Sequence, residues 1–194
     1  MNVELATTEH EPGLRALFER CHSPCYCRYW HFTGNKNAWL DRCAHRPEEN
    51  AAELGAALRS GDPSASGLVA REPGSGEIVG WMKLTMRAAV PKLRSLPVYR
   101  SLPLGSEDTT FVIGCFLVDP RFRKRGVARA LVAAAPGFAR TRGAAAVEAY
   151  PRRSPEPLHD EEAWQGPERL FIELGWSCVH DVAPYPVYRN VLSQ

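Results

Sequence analysis

Residues 111–135 read FVIGCFLVDPRFRKRGVARALVAAA, and this stretch decides the fold. Its first eight residues extend an apolar run that starts at Thr109, so the pattern predicts a strand over 109–118. Strand-length apolar continuity implies cover on both faces. Asp119 and Pro120 end it. Arg121, Arg123, Lys124 and Arg125 follow, and Gly126 opens an alanine-rich helix over 126–142. The first N–H groups of a helix have no intrahelical partner, and the positive end of its dipole lies there. With guanidinium groups beside them, these amides form a site suited to phosphate. Gly126 permits either close approach of a ligand or a backbone angle closed to other residues. Ala128 keeps the first turn thin. The same residues also read as an ordinary basic loop capping a core helix, and the pattern alone leaves both readings open.

Working outward, Gly67–Arg71 and Glu77–Thr85 are β-like and joined by EPGSGE, a hairpin connection. Prolines at 91, 97 and 103 make 87–108 irregular. Pro136 is expected to kink the long helix or begin a second piece. A strand over 144–150, a polar loop to about Ala163, and a short helix from Pro167 to Leu174 closed by Gly175 follow. Terminal strands are expected at 176–181 and 186–192. Before residue 67 the pattern predicts a short strand over 3–8 and helices over 12–20 and 47–58. The order after residue 67 argues an α/β (α+β) domain with a central mixed β-sheet flanked by helices. The antiparallel opening and the lack of an early G-x-G-x-x-G argue against a dinucleotide-binding fold.

The 194 residues are 44% hydrophobic and 24% charged, a globular composition. Lys plus Arg number 24 and Asp plus Glu 22, a net charge of +2, so composition gives no argument for nucleic acid or an anionic membrane. No apolar window reaches the roughly 20 residues of a membrane helix, and the acidic N-terminus lacks the basic region of a signal peptide. The expectation is a cytoplasmic protein whose six cysteines are thiols or metal ligands.

The segment Val118–Leu131 resembles the acetyl-coenzyme A motif of the GNAT (GCN5-related) N-acetyltransferases. Arg123, Gly126 and Ala128 match its R/Q-x-x-G-x-G/A core. GAAAVEAYP, residues 143–151, resembles the next core strand, and LFIELGW, residues 170–176, resembles the helix that ends in a Gly-aromatic pair. The resemblance covers 67–192 best, within a single domain over 1–194 that carries a Cys- and aromatic-rich insert at 21–45. It implies a sheet splayed between the strands at 109–118 and 144–150. The backbone of Phe116, Leu117 and Val118 would bond pantetheine like an added strand. Arg123, Lys124, Arg125, Gly126, Val127 and Ala128 would hold the pyrophosphate. Acetyl-CoA is then the cosubstrate, no metal is expected, and a small-molecule or polypeptide amine is the acceptor. Nucleic acid and membrane partners are not expected, and the protein would be a monomer or homodimer.

The implied reaction is direct attack of a neutral amine on the thioester, with a proton acceptor, a backbone N–H for the oxyanion and a donor for the departing thiolate. Relatives use a tyrosine four residues before the Gly-aromatic pair as that donor; Phe171 stands there. Tyr188 is the first replacement considered, with Tyr150 and Tyr185 as others. Glu148, set among apolar residues, reads as a base, as a charge partner for the acceptor, or as half of a surface ion pair. Cys115 reads as packing rather than as a nucleophile. Trp30, Trp81 and Tyr150 are candidates to line the acceptor site, Trp30 together with Tyr26, Tyr29, Phe32 and Trp39 of the insert. Cys21, Cys25, Cys27 and Cys43 read as packed thiols, as substrate contacts or as a zinc site of poor spacing. Rival functions are a non-catalytic coenzyme A sensor or interaction module, which Phe171 favours, and a zinc-assisted nucleic-acid binder built on the first 66 residues.

Overall fold

The computed structural model describes residues 1–156, 158–159 and 162–193. In chain order the main elements are β1 (Asn2–Leu5), α1 (Glu11–Arg20), α2 (Lys36–His45), α3 (Pro47–Ser60), β2 (Gly67–Arg71), β3 (Ile78–Met86), α4 (Lys92–Ser95), β4 (Thr110–Val118), α5 (Val127–Arg140), β5 (Ala146–Ala149), α6 (Glu168–Glu173), β6 (Ser177–His180) and β7 (Val187–Val191). The strands form one sheet of order β1-β2-β3-β4-β5-β7-β6. Only β4 and β5 run parallel; the other neighbours are antiparallel. The expected mixed sheet flanked by helices is therefore present.

Both faces of β4 are covered, as its apolar continuity requires. On one face α5 packs Leu131, Val132 and Ala135 against Ile113 and Val147. On the other, Leu14, Leu17 and Phe18 of α1 and Leu54 of α3 meet Val69 and Trp81. A third cluster gathers Trp30, Tyr99, Val112, Tyr150 and Val187.

The feature that positions the site is an incomplete ladder. β4 and β5 pair only from Thr110↔Ala146 to Ile113↔Ala149. β5 stops there, while β4 continues to Val118 alongside β3. One edge of 114–118 thus has no β5 partner, and the sheet opens.

Two expectations need correction. Pro136 does not begin a second piece: the long helix runs unbroken from Val127 to Arg140. Leu131, Val132 and Ala135 before it and Ala139 after it are all buried against the sheet, so packing on both sides of the proline holds the helix to it. The cysteines are not all thiols: Cys27 and Cys115 form a disulfide across 88 residues, with Cα atoms 6.8 Å apart. The insert folds back onto β4, a long-range proximity that linear spacing does not encode. Part of the insert is regular, since Asn35 caps α2 by accepting a bond from the Ala38 N–H at 2.9 Å. The loop positions 157, 160 and 161 lie outside the described residues. Among the described residues no helix is long and apolar enough to cross a membrane.

Candidate active site

Asp119 fixes the turn that leaves β4. It is buried, and its carboxylate accepts from Arg20 Nε at 2.7 Å, from Arg121 Nη2 at 2.8 Å and from the Arg121 N–H at 2.9 Å. Bonding to Arg121, before any other cause, holds its pKa well below the usual carboxylate range. Arg121 also binds Glu77 at 2.7 Å, so its guanidinium serves the fold. The Arg125 guanidinium lies 5.4 Å from the Phe122 ring centre. Beyond the turn Gly126 takes φ +80 as the N-cap of α5, with no side-chain cap over the first turn. A Cβ there would meet nothing within 4 Å, so the angle demands glycine while the space beside it is open.

That space belongs to a cavity of about 1010 Å³. Its walls include Phe116, Leu117, Val118, Arg123, Lys124, Gly126, Val127 and Ala128, with Arg152 and Arg153 opposite. Unpaired amides at a helix start, cations and an open strand edge meet along one trough, and these donors fit a pyrophosphate carried on an extended arm. A second cavity of about 660 Å³ lies on the other side of the strand, walled by Trp30, Trp39, Trp81, Cys27 and Cys115. Phe116, Leu117, Arg123 and the 151–167 loop border both.

The strand edge between the cavities is partly taken. Asp119 N–H bonds Val79 O on β3 at 2.9 Å, so alternation turns the Phe116 and Val118 N–H groups toward the splay. Phe116 N–H donates there to the Trp164 carbonyl at 2.6 Å. Gly166, at φ +87, lets the loop press on this point; a Cβ would sit 2.8 Å from the Phe116 ring.

The sequence matches the model of the acetyltransferase (GNAT) family over residues 13–160. The chain belongs to the GNAT acetyltransferase family. Solved structures agree on the fold. A GNAT acetyltransferase from Listeria monocytogenes superposes with TM-score 0.61 at 10% identity, over 98% of this chain and 94% of that one. The PaiA N-acetyltransferase of Thermoplasma acidophilum, solved with coenzyme A, gives TM-score 0.55 at 9% identity, over 98% and 99%. The GNAT domain of S. lividans PAT gives 0.57 at 16%, over 98% and 89%. No curated protein sequence matches the chain.

Within this GNAT chain the candidate residues fall into separate places. Trp30 and Trp81 stand in the wall of the smaller cavity, and Trp30 Nε1 donates to the Gly114 carbonyl at 3.1 Å. Glu148 is fully buried in β5. Its Oε1 accepts from Arg189 Nη2 at 2.5 Å and Gly105 N–H at 2.8 Å, and its Oε2 from Tyr150 OH at 2.7 Å. Tyr150 is thereby committed to Glu148, and burial pushes its phenol pKa well up. Tyr188 stacks on Phe171 at 6.2 Å and donates to Glu168 at 2.7 Å. Burial first, then that carboxylate, raises its pKa to about 12. Among the described residues no group of three or more His, Cys, Asp or Glu is placed to hold a metal.

Sequence reasoning missed Trp164, Arg152 and Arg153. A tryptophan in a polar loop and an Arg-Arg pair directly after the strand that opens the splay were the available signals. His22 also borders the smaller cavity.

Proposed function

We propose that the protein transfers an acetyl group from acetyl-CoA to a primary amine by direct attack in a ternary complex. The observation that carries this reading is the opening between β4 and β5 with a cavity on each side, meeting at Phe116 and Leu117. The larger cavity takes the diphosphate at Arg123, Lys124 and the amides from Arg125 to Ala128, and pantetheine along Phe116–Val118. The smaller takes the amine. The Trp164 carbonyl must leave the Phe116 N–H for that donor to reach the thioester oxygen. Cys115, being in a disulfide, offers no thiolate for an acyl-enzyme. Glu148, bonded through both oxygens, anchors the closed part of the sheet beside the splay rather than shuttling a proton. Tyr188, beside Phe171, remains the candidate to protonate the thiolate.

The test separates the diphosphate site from the fold. A side chain other than glycine at position 126 is strained at φ +80, so the discriminating change is Ala128→Glu. A carboxylate in the first turn favours the helix but repels a diphosphate. Calorimetry with coenzyme A should show affinity falling at least thirtyfold, with the melting temperature unchanged or raised. Equal affinity in the variant refutes the assignment.

A second reading, a coenzyme A-binding module without catalysis, is favoured by Phe171 at the place where relatives carry the proton donor. Coenzyme A binding without turnover across a broad amine panel would select it.

A further inference from the structure

We infer that the acceptor is a flat, aromatic amine of low molecular mass; the inference rests on the acetyl-transfer reading and narrows its second substrate. Four of the protein's five tryptophans, Trp30, Trp39, Trp81 and Trp164, wall the cavity of about 660 Å³ together with Phe18 and Tyr29. That volume suits one compact ligand.

The rings hold one another in place. Tyr29 stands edge-on to Trp30, Trp39 and Trp164 at centroid distances of 5.5, 5.7 and 5.8 Å, and Trp30 lies 5.5 Å from Trp164. The Trp30 indole is also tied to Gly114 on β4. A braced set of indole faces favours a planar π-system, because little side-chain freedom is lost on binding.

One donor in this wall is unused. Trp81 is fully buried, and its Nε1 has no hydrogen-bond partner among the described residues. An unpaired buried donor costs about 1–3 kcal/mol. Among the described residues no aspartate or glutamate lines the cavity, and its charged member is Arg123. Its described wall therefore offers a polycationic acceptor no carboxylate.

The chemistry agrees with the walls. The nitrogen of an arylamine holds its lone pair free at neutral pH, so no base need deprotonate it before attack. Its lone pair forms the N–C bond to the thioester carbonyl and the C–S bond breaks. The nitrogen proton passes to water at the His22 mouth, and the sulfur leaves as thiolate and takes a proton to become the thiol. Amine plus acetyl thioester gives amide plus thiol, with no other reactant.

The experiment titrates the full-length protein with 4-aminobenzamide and with putrescine, following tryptophan emission without acetyl-CoA and then thiol release with it. Saturable quenching and turnover with the arylamine, at least tenfold above putrescine in kcat/KM, is the expected result. Trp39→Ala, on the insert at 9% exposure, should lower arylamine kcat/KM at least tenfold while coenzyme A affinity by calorimetry stays within twofold. Putrescine turned over as well as the arylamine, or no quenching, overturns the inference while coenzyme A binding leaves acetyl transfer standing. Failure to bind coenzyme A removes both.

Discussion

Lys83 shows how a single buried charge both supports the site and leaves a readable signature. It is fully buried on β3, with Nζ 2.6 Å from the Ser64 carbonyl. Its stem lies against β4 where the strand leaves β5: a Cβ on Gly114 would come within 2.7 Å of Lys83 Cδ and 2.9 Å of Trp30 Nε1. Gly114 therefore allows two side chains to brace the splay. Burial, ahead of the nearby Arg28, pushes the Lys83 pKa down to about 7. The unfolded value lies near 10.4, so from about pH 7 to pH 10 the unfolded chain binds more protons and stability rises with pH. The slope attributable to Lys83 approaches about 1.4 kcal/mol per pH unit. Lys83→Met should abolish it. Urea unfolding of both proteins at pH 7, 8 and 9 measures the difference; parallel pH dependences would show that Lys83 does not titrate in this window.

At the scale of elements, the insert owes its place to a bond between distant residues. The Cys27–Cys115 disulfide closes a loop of 88 residues, and a loop of that size contributes about 3–5 kcal/mol in the chain-entropy picture. Reduction with dithiothreitol should lower the melting temperature of the native protein by several degrees and leave the Cys27→Ser/Cys115→Ser double variant unmoved. The same shift in both proteins would mean that the disulfide is not what the reductant acts on. Local chemistry explains which elements the sequence made legible. β4, the Gly126 turn, α5 and the β2–β3 hairpin announce themselves through apolar runs, a glycine and turn residues, all readable within a dozen positions. The cavity wall was legible in part: Trp30, Trp39 and Trp81 stood out as candidate liners, but Trp164 lies in a distant loop that only tertiary packing brings beside them. The partners of Glu148 were hidden for the same reason. Its apolar neighbours were visible in the strand, but Arg189 and the Gly105 N–H reach it from other parts of the chain.

For the molecule as a whole, the proposed reaction sets its two reactants on opposite faces of the sheet. α5 and the basic turn lie on one face of β4, α1, α3 and the insert on the other, and among the described residues the two cavities share Phe116, Leu117 and Arg123. A donor arriving along one face and an amine on the other do not compete for the same space. Neither must leave for its partner to enter. With Cys115 held by Cys27, the described wall also lacks a strand thiolate that would carry the acetyl group between two half-reactions. Initial rates measured over a grid of acetyl-CoA and amine concentrations should therefore give intersecting double-reciprocal lines, and coenzyme A should not be released without amine. Parallel lines, or a stoichiometric burst of coenzyme A from protein and acetyl-CoA alone, would place a covalent intermediate on this sheet. Binding of one ligand should also leave the other's cavity open. If the Trp164 loop must withdraw from Phe116 before either ligand is properly seated, saturating coenzyme A should tighten amine binding, and by linkage the amine should tighten coenzyme A by the same factor. Paired titrations, each ligand with and without the other, test that equality directly. Equal affinities in all four titrations would show the loop to be a fixed wall.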